Sequence, residues 1–509
     1  MQEKQMALVQ PVTSEPQAPA PVSKPAGHDS SPPQALLDFM MRDWKPAPTK
    51  MPPRLKNADA FLARRRALSK LFPGETLLIP TGHEKVRAND QHFRFRPGSD
   101  FYYLTGNLEP DCVLVMQPRQ GGGHTDLLFV EPNPGRSDQT FYTDRVKGEL
   151  WVGPRLGVEQ SRARFGTDEC RGLPELPALL SSLKEPATRP WRVLRGLSEK
   201  VDGTLPEQSE RDKALATAIS EMRLIKDAQE IRELSAVIAS TRRGFEDVIR
   251  ALRDATSERT LEGIFNLRAR EEGNDVGYGT IAASGPHACI LHWMRNDGKL
   301  KQGDLLLLDA GVEGNSLYTA DITRTMPISG RFSKEQREMY SLVFEAQKAA
   351  FKVIKPGIDF MEPNRVAMRV LAEGLERLGI LPTSAEQALK EENQFYKRYS
   401  LHNISHMIGL DVHDCAQARQ ESYKYGKLQP GMVFSVEPGL YFQVDDLTVP
   451  AKYRGIGVRI EDDVVVTARG MRNLSEDIPR ELGEVEEWMA RIWKGSGRSA
   501  KKKGARAAR

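Results

Sequence analysis

Cysteine is scarce in this chain, and long apolar runs are absent. The 509 residues include four cysteines, Cys112, Cys170, Cys289 and Cys415, which lie far apart in the sequence. This spacing argues against a disulfide-stapled secreted scaffold and predicts reduced, buried thiols. No segment reaches membrane-spanning length, and the N-terminus lacks a basic region followed by an apolar run. We therefore expect a cytoplasmic protein with no membrane partner.

The net positive charge comes from one end of the chain. The formal net charge is +4, but residues 494–509 contain seven basic and no acidic residues, so the rest of the chain carries a net charge of −3. Lysines among Gly, Ser and Ala predict a solvated, disordered tail over residues 494–509, and we expect no nucleic-acid partner. Residues 1–54 are rich in Pro and Ala and predict a second disordered extension, with one short helix at Ala35–Met41.

The sequence between these tails is long enough for two domains. Residues 55–209 alternate helix-like and strand-like segments, among them a strand at Thr76–Pro80. Residues 210–493 contain long helical patterns, one of which begins with the capping box of Ser333 and Gln336. Because these helices alternate with hairpins rather than with single parallel strands, we predict an α+β fold.

Five metal-ligand candidates occur in separate short motifs of the second half. They are Asp309, Asp321, His406, Glu437 and Glu461. Four carboxylates and one imidazole suit two hard or borderline divalent cations, whose charge the four carboxylates balance. A single aspartate is usually a solvated surface group. Five candidates in recognisable contexts instead indicate a hydrolytic centre with two metals.

The spacing of the first two candidates predicts a hairpin. Asp309 ends an apolar run, Asp321 opens an alternating stretch, and Gly314-Asn315 between them are typical turn residues. A hairpin centred near Asn315 places the two aspartates directly opposite each other. Their Cβ atoms would then be about 5 Å apart, a distance at which two like charges are destabilising. A bound cation would remove that penalty.

These spaced motifs, from Asp309-Ala310-Gly311 to Glu461-Asp462-Asp463, resemble the pita-bread metallopeptidases of the proline-peptidase branch, which contains aminopeptidase P and prolidase. The resemblance covers about residues 55–490. Its N-terminal part includes the segment from Arg96 to Pro110, which is similar to the N-terminal domain of aminopeptidase P. It implies a pita-bread catalytic domain over residues 210–493, preceded by a smaller mixed α/β domain over residues 55–209.

The resemblance also implies metal-binding roles. The residue matching Asp309 binds one metal in that family, and those matching Asp321 and Glu461 bridge both. His406 and Glu437 match ligands of the other metal. We therefore expect two divalent ions, with Mn²⁺ as the first expectation and Co²⁺ or Zn²⁺ as alternatives.

Catalytic residues are implied in the same way. His292, His402 and His413 match neutral pocket histidines that donate hydrogen bonds, and Glu437 matches a glutamate that binds metal and also exchanges protons. Together these four residues form the expected catalytic set.

Two positions depart from the family, and one neighbour supports the site. Asn403 stands where Gly is usual, so we expect an unusual backbone conformation there, which Asn tolerates. Trp293 stands where Tyr is usual, and we expect it to alter the pocket wall or a hydrogen bond. Arg459 lies two residues before Glu461 on the same strand face, and we predict that it orients this ligand.

The resemblance implies an Xaa-Pro aminopeptidase acting on proline-containing peptides, as a homo-oligomer (dimer or tetramer). A dipeptidase of the prolidase type and a proline-specific carboxypeptidase are alternatives that use the same metal set. A non-catalytic pita-bread binding protein is the alternative of a different class. Such proteins lose metal ligands, whereas all five candidates are present here.

Overall fold

The computed structural model describes residues 32–45, 51–185 and 190–507, with side chains through residue 495. These residues form two compact units, one of residues 32–45 and 132–157 and the other of residues 51–131 and 158–507. Most of the extension predicted over residues 1–54 lies outside the described residues. The short helix expected at Ala35–Met41 is present as Gln34–Met40.

The α-helices of the described residues are α1 (Gln34–Met40), α2 (Ala58–Leu71), α3 (Ser99–Thr105), α4 (Thr140–Thr143), α5 (Glu149–Val152), α6 (Val158–Phe165), α7 (Leu176–Leu183), α8 (Glu199–Thr204), α9 (Ser209–Met222), α10 (Ala228–Ala251), α11 (Glu258–Glu272), α12 (Lys334–Val353), α13 (Glu362–Arg377), α14 (Ala385–Ala388) and α15 (Leu482–Ala507). The β-strands are β1 (Thr76–Pro80), β2 (Val86–Ala88), β3 (Gln91–His92), β4 (Val113–Pro118), β5 (His124–Val130), β6 (Glu169–Gly172), β7 (Trp191–Val193), β8 (Asp275–Val276), β9 (Ile281–Ser284), β10 (Leu305–Ala310), β11 (Val312–Glu313), β12 (Ile322–Pro327), β13 (Val433–Val436), β14 (Gly439–Tyr441), β15 (Gly457–Arg459), β16 (Asp462–Val466) and β17 (Met471–Asn473).

The first part of the larger unit is built on a five-stranded sheet of order β6-β5-β4-β1-β7. The strand predicted at Thr76–Pro80 is confirmed as β1. β1 pairs with β7 in parallel and with β4 in antiparallel orientation, so the sheet is mixed. Leucines of α7 and Val201 of α8 pack with the apolar side chains of the sheet in one core. This is the mixed α/β organisation that the sequence predicts.

The second part combines long helices with short antiparallel strands. Its main sheets have the orders β12-β10-β9 and β13-β16-β17, and every pairing in them is antiparallel. Apolar side chains of α10, α11, α12 and α13 pack with these strands in one continuous core. The predicted α+β class is confirmed.

Two of the long helices begin at local capping signals. The carboxylate of Asp227 accepts hydrogen bonds from the N–H groups of Gln229 and Glu230 and starts α10. Ser333 caps α12 in the capping box predicted with Gln336. Each cap satisfies N–H groups that the helix itself leaves without acceptors.

The last helix, α15, extends from Leu482 to Ala507. Its backbone therefore includes most of residues 494–509, a segment that composition alone assigns to a disordered tail. Ala, Lys and Arg are favourable helix residues, and the preceding turns of α15 remove the cost of nucleation. None of the helices in the described part of the chain is long and apolar enough to span a membrane.

Candidate metal centre

The hairpin of β10 and β12 brings Asp309 close to Asp321. Asp309 pairs with Thr323, so the register differs by two residues from the predicted pairing of Asp309 with Asp321. The prediction was wrong because the hairpin is centred at Ser316 rather than at Asn315. Glu313 pairs with Thr319 across a turn that contains Gly314 and Asn315 and ends at Leu317, which adopts a left-handed conformation (φ 61°). A shift of two residues keeps side chains on the same face. Both aspartates therefore still reach one side of the hairpin.

The two carboxylates share one hydrogen-bonding partner, Tyr278. Its hydroxyl oxygen lies 2.7 Å from Asp309 Oδ1 and 2.5 Å from Asp321 Oδ1. Both aspartates are buried, with 7% and 5% of their surface exposed. Buried carboxylates this close repel each other unless a proton or a cation lies between them. The arrangement therefore suits a bound cation.

His406 and Glu437 approach the same point from two adjacent backbone segments. The N–H of Ser435 donates to the carbonyl of His406, and the N–H of Glu437 donates to the carbonyl of Ile404. These bonds place Nε2 of His406 3.3 Å from Glu437 Oε1 and 3.4 Å from Asp321 Oδ2. An imidazole is thereby set among the carboxylates.

Glu461 joins the group from the connection between β15 and β16. Its Oε2 accepts a hydrogen bond of 2.7 Å from the hydroxyl of Thr323, while its buried Oε1 has no hydrogen-bond partner among the described residues. The metal-binding atoms of Asp321, His406 and Glu461 all lie within 4.8 Å of one another. A buried, unpartnered carboxylate oxygen is costly without a cation. This donor set therefore fits a divalent metal.

One cavity of about 540 Å³ contains every predicted site residue. The five ligand candidates and His292, His402 and His413 line it together with Tyr278, Ile281, Leu291, Met294, Val412 and Arg459. Charged ligands and apolar side chains thus meet in one concave site, which is the usual organisation of a catalytic pocket.

Residues 232–468 match the metallopeptidase family M24, and residues 61–191 match the aminopeptidase P N-terminal domain. Xaa-Pro aminopeptidase 1 of Streptomyces coelicolor is 50% identical over 461 residues, which cover 90% of this chain and 92% of that protein. The chain belongs to metallopeptidase family M24.

More distant relatives of this M24 metallopeptidase share both domains. Xaa-Pro aminopeptidase 3 of Mus musculus is 31% identical, with 93% of each chain covered. The structure of Pseudomonas aeruginosa aminopeptidase PepP matches with a TM-score of 0.77 at 34% identity, covering 86% of this chain and 99% of that one. Aminopeptidase P from E. coli with the inhibitor Pro-Leu matches with the same TM-score at 31% identity and the same coverage. The family and the pita-bread fold that the motifs imply are thus confirmed.

Burial and mutual repulsion dominate the electrostatics of the centre. Burial raises the pKa of Asp321 and of Glu461, and neighbouring carboxylates raise both further. For His406, burial alone would lower the pKa, but the hydrogen bond and charge of Glu437 raise it to about 9. Conversely, burial favours a protonated Glu437, but the bond from His406 and the charge of His402 lower its pKa to about 2. Without metal, these shifts therefore favour the protonated forms of His406, Asp321 and Glu461.

These protons make metal binding dependent on pH. A cation must displace the proton that His406 carries below its pKa, so the affinity for the cation should increase as the pH rises towards that pKa. We expect the dissociation constant for Mn²⁺ to fall at least about tenfold per pH unit between about pH 6.5 and 8.5, since at least one proton is released. Competition with a chelator of known pH dependence measures this, and an affinity that stays constant over that range would contradict it.

The pocket histidines His413 and His402 differ in their contacts. The His413 ring meets the His406 ring edge to face, with centroids 4.4 Å apart. His402 Nε2 lies 2.8 Å from the Tyr441 hydroxyl, and its Nδ1 lies 2.9 Å from the Asn403 carbonyl. Burial lowers the pKa of both His402 and His413, and the charge of His406 lowers that of His413 further. Burial therefore favours the neutral form of both rings, which is the form that the resemblance implies.

Arg459 contacts a different ligand from the one predicted. Its Nη2 donates to Asp309 Oδ2, and its Nε donates to the hydroxyl of Thr323. Thr323 in turn donates to Glu461, so Arg459 reaches that ligand only through an intermediate. The predicted orientation of Glu461 by Arg459 would therefore act through Thr323, whereas the direct ligand contact of Arg459 is with Asp309.

The two departures from the family leave the metal ligands unchanged. Asn403 does not adopt a positive φ, so the unusual conformation expected there is not found. Trp293 is not part of the cavity lining; its Nε1 donates to Glu258 (2.8 Å), and its ring stacks on His287. Trp293 therefore forms a hydrogen bond outside the cavity, and a change relative to the usual Tyr stays a prediction.

Tyr278 is a site residue that the sequence reasoning missed. One signal was available, because the tyrosine is flanked by Gly277 and Gly279. A Cβ on Gly277 would lie 1.7 Å from Oγ1 of Thr319, so only glycine permits this close approach of Tyr278 to the hairpin. Such flanking glycines indicate a side chain held at a crowded site.

Proposed function

We propose that this protein is a dinuclear metal-dependent Xaa-Pro aminopeptidase, which removes the first residue of a peptide before a penultimate proline. The observation that carries the proposal is the single cavity that contains all five ligand candidates and the three pocket histidines. The names of relatives that match over most of both chains support the same substrate class.

In this proposal Asp309, Asp321, His406, Glu437 and Glu461 hold two divalent ions, with Mn²⁺ expected and Co²⁺ or Zn²⁺ as alternatives. When bound, such ions lower the pKa of water and polarise a carbonyl group. The unpartnered oxygen of Glu461 and the proximity of Asp321 to His406 support this ligand set.

The other steps fall to the side chains of the cavity. Glu437, whose low pKa keeps it a carboxylate, accepts the proton of the attacking water and transfers it to the leaving proline nitrogen. His292 and His413 donate hydrogen bonds to the carbonyl oxygen as negative charge develops on it. His402 links the wall of the site to Tyr441. Apolar side chains of Ile281, Leu291 and Val412 supply a surface for the proline ring.

We also propose a cytoplasmic homo-oligomer, either a dimer or a tetramer. Phe39, Trp44 and Trp151 of the smaller unit are 74%, 48% and 48% exposed, and such apolar side chains commonly mark an interface. The free thiols of the four cysteines support a reducing compartment. Light scattering in solution measures the mass of the assembly.

A peptide panel tests the proposed reaction. With Mn²⁺, Co²⁺ or Zn²⁺ added separately, we expect release of the first residue from Xaa-Pro-Yaa and longer peptides, and no cleavage once the N-terminus is acetylated. Matched Xaa-Ala-Yaa peptides serve as controls and should remain uncleaved. Mass spectrometry of the products identifies the bond.

Each other outcome of the panel favours a different function. Cleavage of Xaa-Pro dipeptides alone would indicate a prolidase, and release of the C-terminal residue would indicate a proline-specific carboxypeptidase. No cleavage with any metal would support a non-catalytic binding protein.

A further inference from the structure

The chain segment that carries His413 is held by side chains from the aminopeptidase P-like domain. Nη2 of Arg96 donates a hydrogen bond of 2.5 Å to the carbonyl of Leu410. Three residues later, the hydroxyl of Ser99 donates to Oδ1 of Asp411 at 2.6 Å. Leu410 and Asp411 lie within three residues of His413. Arg96 and Ser99, which bind them, are more than 300 positions earlier in the chain.

Buried charges hold the same segment from a second side. Nη2 of Arg223 contacts Asp411 and also Asp414, and Nζ of Lys226 lies 2.8 Å from the other oxygen of Asp414. Arg223 also pairs with Asp100, the residue after Ser99 in the first domain. His413 thus lies between two aspartates that are each fixed by ion pairs.

Arg96 connects this segment to the hairpin between β10 and β12 that carries Asp309 and Asp321 (the metal hairpin). Its Nε lies 2.6 Å from Oε2 of Glu313, a buried residue of β11. Glu313 pairs with Thr319 in the turn region between Asp309 and Asp321, and the N–H of Thr319 donates to the carbonyl of Gly409. The guanidinium of Arg96 therefore contacts both the metal hairpin and the segment that carries His413.

The geometry points to Arg96 as a positioning residue that sets His413 relative to the metal hairpin, an inference that rests on the proposed function. Its three nitrogens reach three different acceptors, namely Glu313, the Leu410 carbonyl and the hydroxyl of Ser99. The compact ammonium of lysine lacks this planar fork. An ordinary surface ion pair would contribute little, but here the carboxylate partner is buried.

A double-mutant cycle tests this role. We expect Arg96→Met to lower kcat on an Xaa-Pro-Yaa peptide by about tenfold while the metal content stays at the native level, since a small displacement of a catalytic group has a large effect on rate. Arg96→Lys should give a similar loss. In a His413→Ala background, the same Arg96→Met change should alter kcat by less than about twofold, because the group being positioned is gone.

Arg94 provides the matched control. It is two residues away and also bonds across to the catalytic domain, through Asp275 and the carbonyl of Asn274, but it does not contact the His413 segment. Arg94→Met should leave kcat within about twofold of the native value. Ser99→Ala removes the hydroxyl that links Arg96 to Asp411 but keeps the bonds of Arg96 to Glu313 and Leu410, and it serves as a milder variant if Arg96→Met fails to fold.

Hydrogen exchange adds a readout that does not depend on substrate. Arg96→Met, but not Arg94→Met, should speed amide exchange in residues 409–415. An unchanged exchange rate there would overturn the inference, as would an equal loss of kcat in the native and His413→Ala backgrounds or a native kcat in Arg96→Met. If the native enzyme cleaves no proline peptide, the proposed function fails, and exchange alone decides the role of Arg96.

Discussion

Replacing Asp321 with alanine should abolish both metal binding and activity. Asp321 lies 3.4 Å from Nε2 of His406 and within hydrogen-bonding distance of Tyr278, and its carboxylate belongs to the group of metal-binding atoms with His406 and Glu461. The resemblance implies that Asp321 bridges two metals, so its loss should affect both sites. We expect less than one metal per chain and a decrease in kcat/KM of at least about a thousandfold, equivalent to ~4 kcal/mol of barrier.

Metal analysis of the purified protein beside steady-state kinetics checks this. Asp254→Ala is the matched control, because Asp254 is an exposed aspartate shortly after the end of α10 and is not part of the cavity lining. That variant should keep its metals and its activity. A fully loaded, active Asp321→Ala enzyme would exclude Asp321 from the ligand set.

The second large effect should separate catalysis from metal binding. His413→Ala and His292→Ala should each lower kcat by about a hundredfold to a thousandfold, because each removes a hydrogen-bond donor to the developing oxyanion. Both rings line the cavity without belonging to the five-ligand set. Metal content should therefore stay at the native level in both variants.

His83→Ala is the control for these histidine substitutions, since His83 is exposed and lies outside this cavity. It should change kcat by less than about twofold. If His413→Ala kept full activity, or lost its metals as completely as Asp321→Ala, the roles assigned to these residues would be wrong.

Local signals were sufficient for several elements of the fold. The strand at Thr76–Pro80 and the cap formed by Ser333 and Gln336 depend on neighbours within a few residues, and both were predicted correctly.

The candidate ligands could also be predicted from the sequence, because the metal preference of a carboxylate or an imidazole depends on its own chemistry. The contacts of these residues could not be predicted in this way. Gly314 and Asn315 located the turn correctly, but the β10–β12 register also depended on the length of that turn, which ends at a left-handed Leu317 that gives no turn signal of its own. Tyr278 was missed because nothing in its spacing relates it to Asp309.

The sequence by itself determined the fold class, the family and the chemical types of the metal ligands, since these follow from local propensity, periodicity and recognisable motifs. Only the tertiary structure decided that Arg459 contacts Asp309, 150 positions away, and that Arg96 contacts Leu410, 314 positions away. Such pairings are set by how separate elements pack against one another. No local pattern encodes them, because the same side chain can satisfy its hydrogen bonds with any suitable partner that the packing brings near.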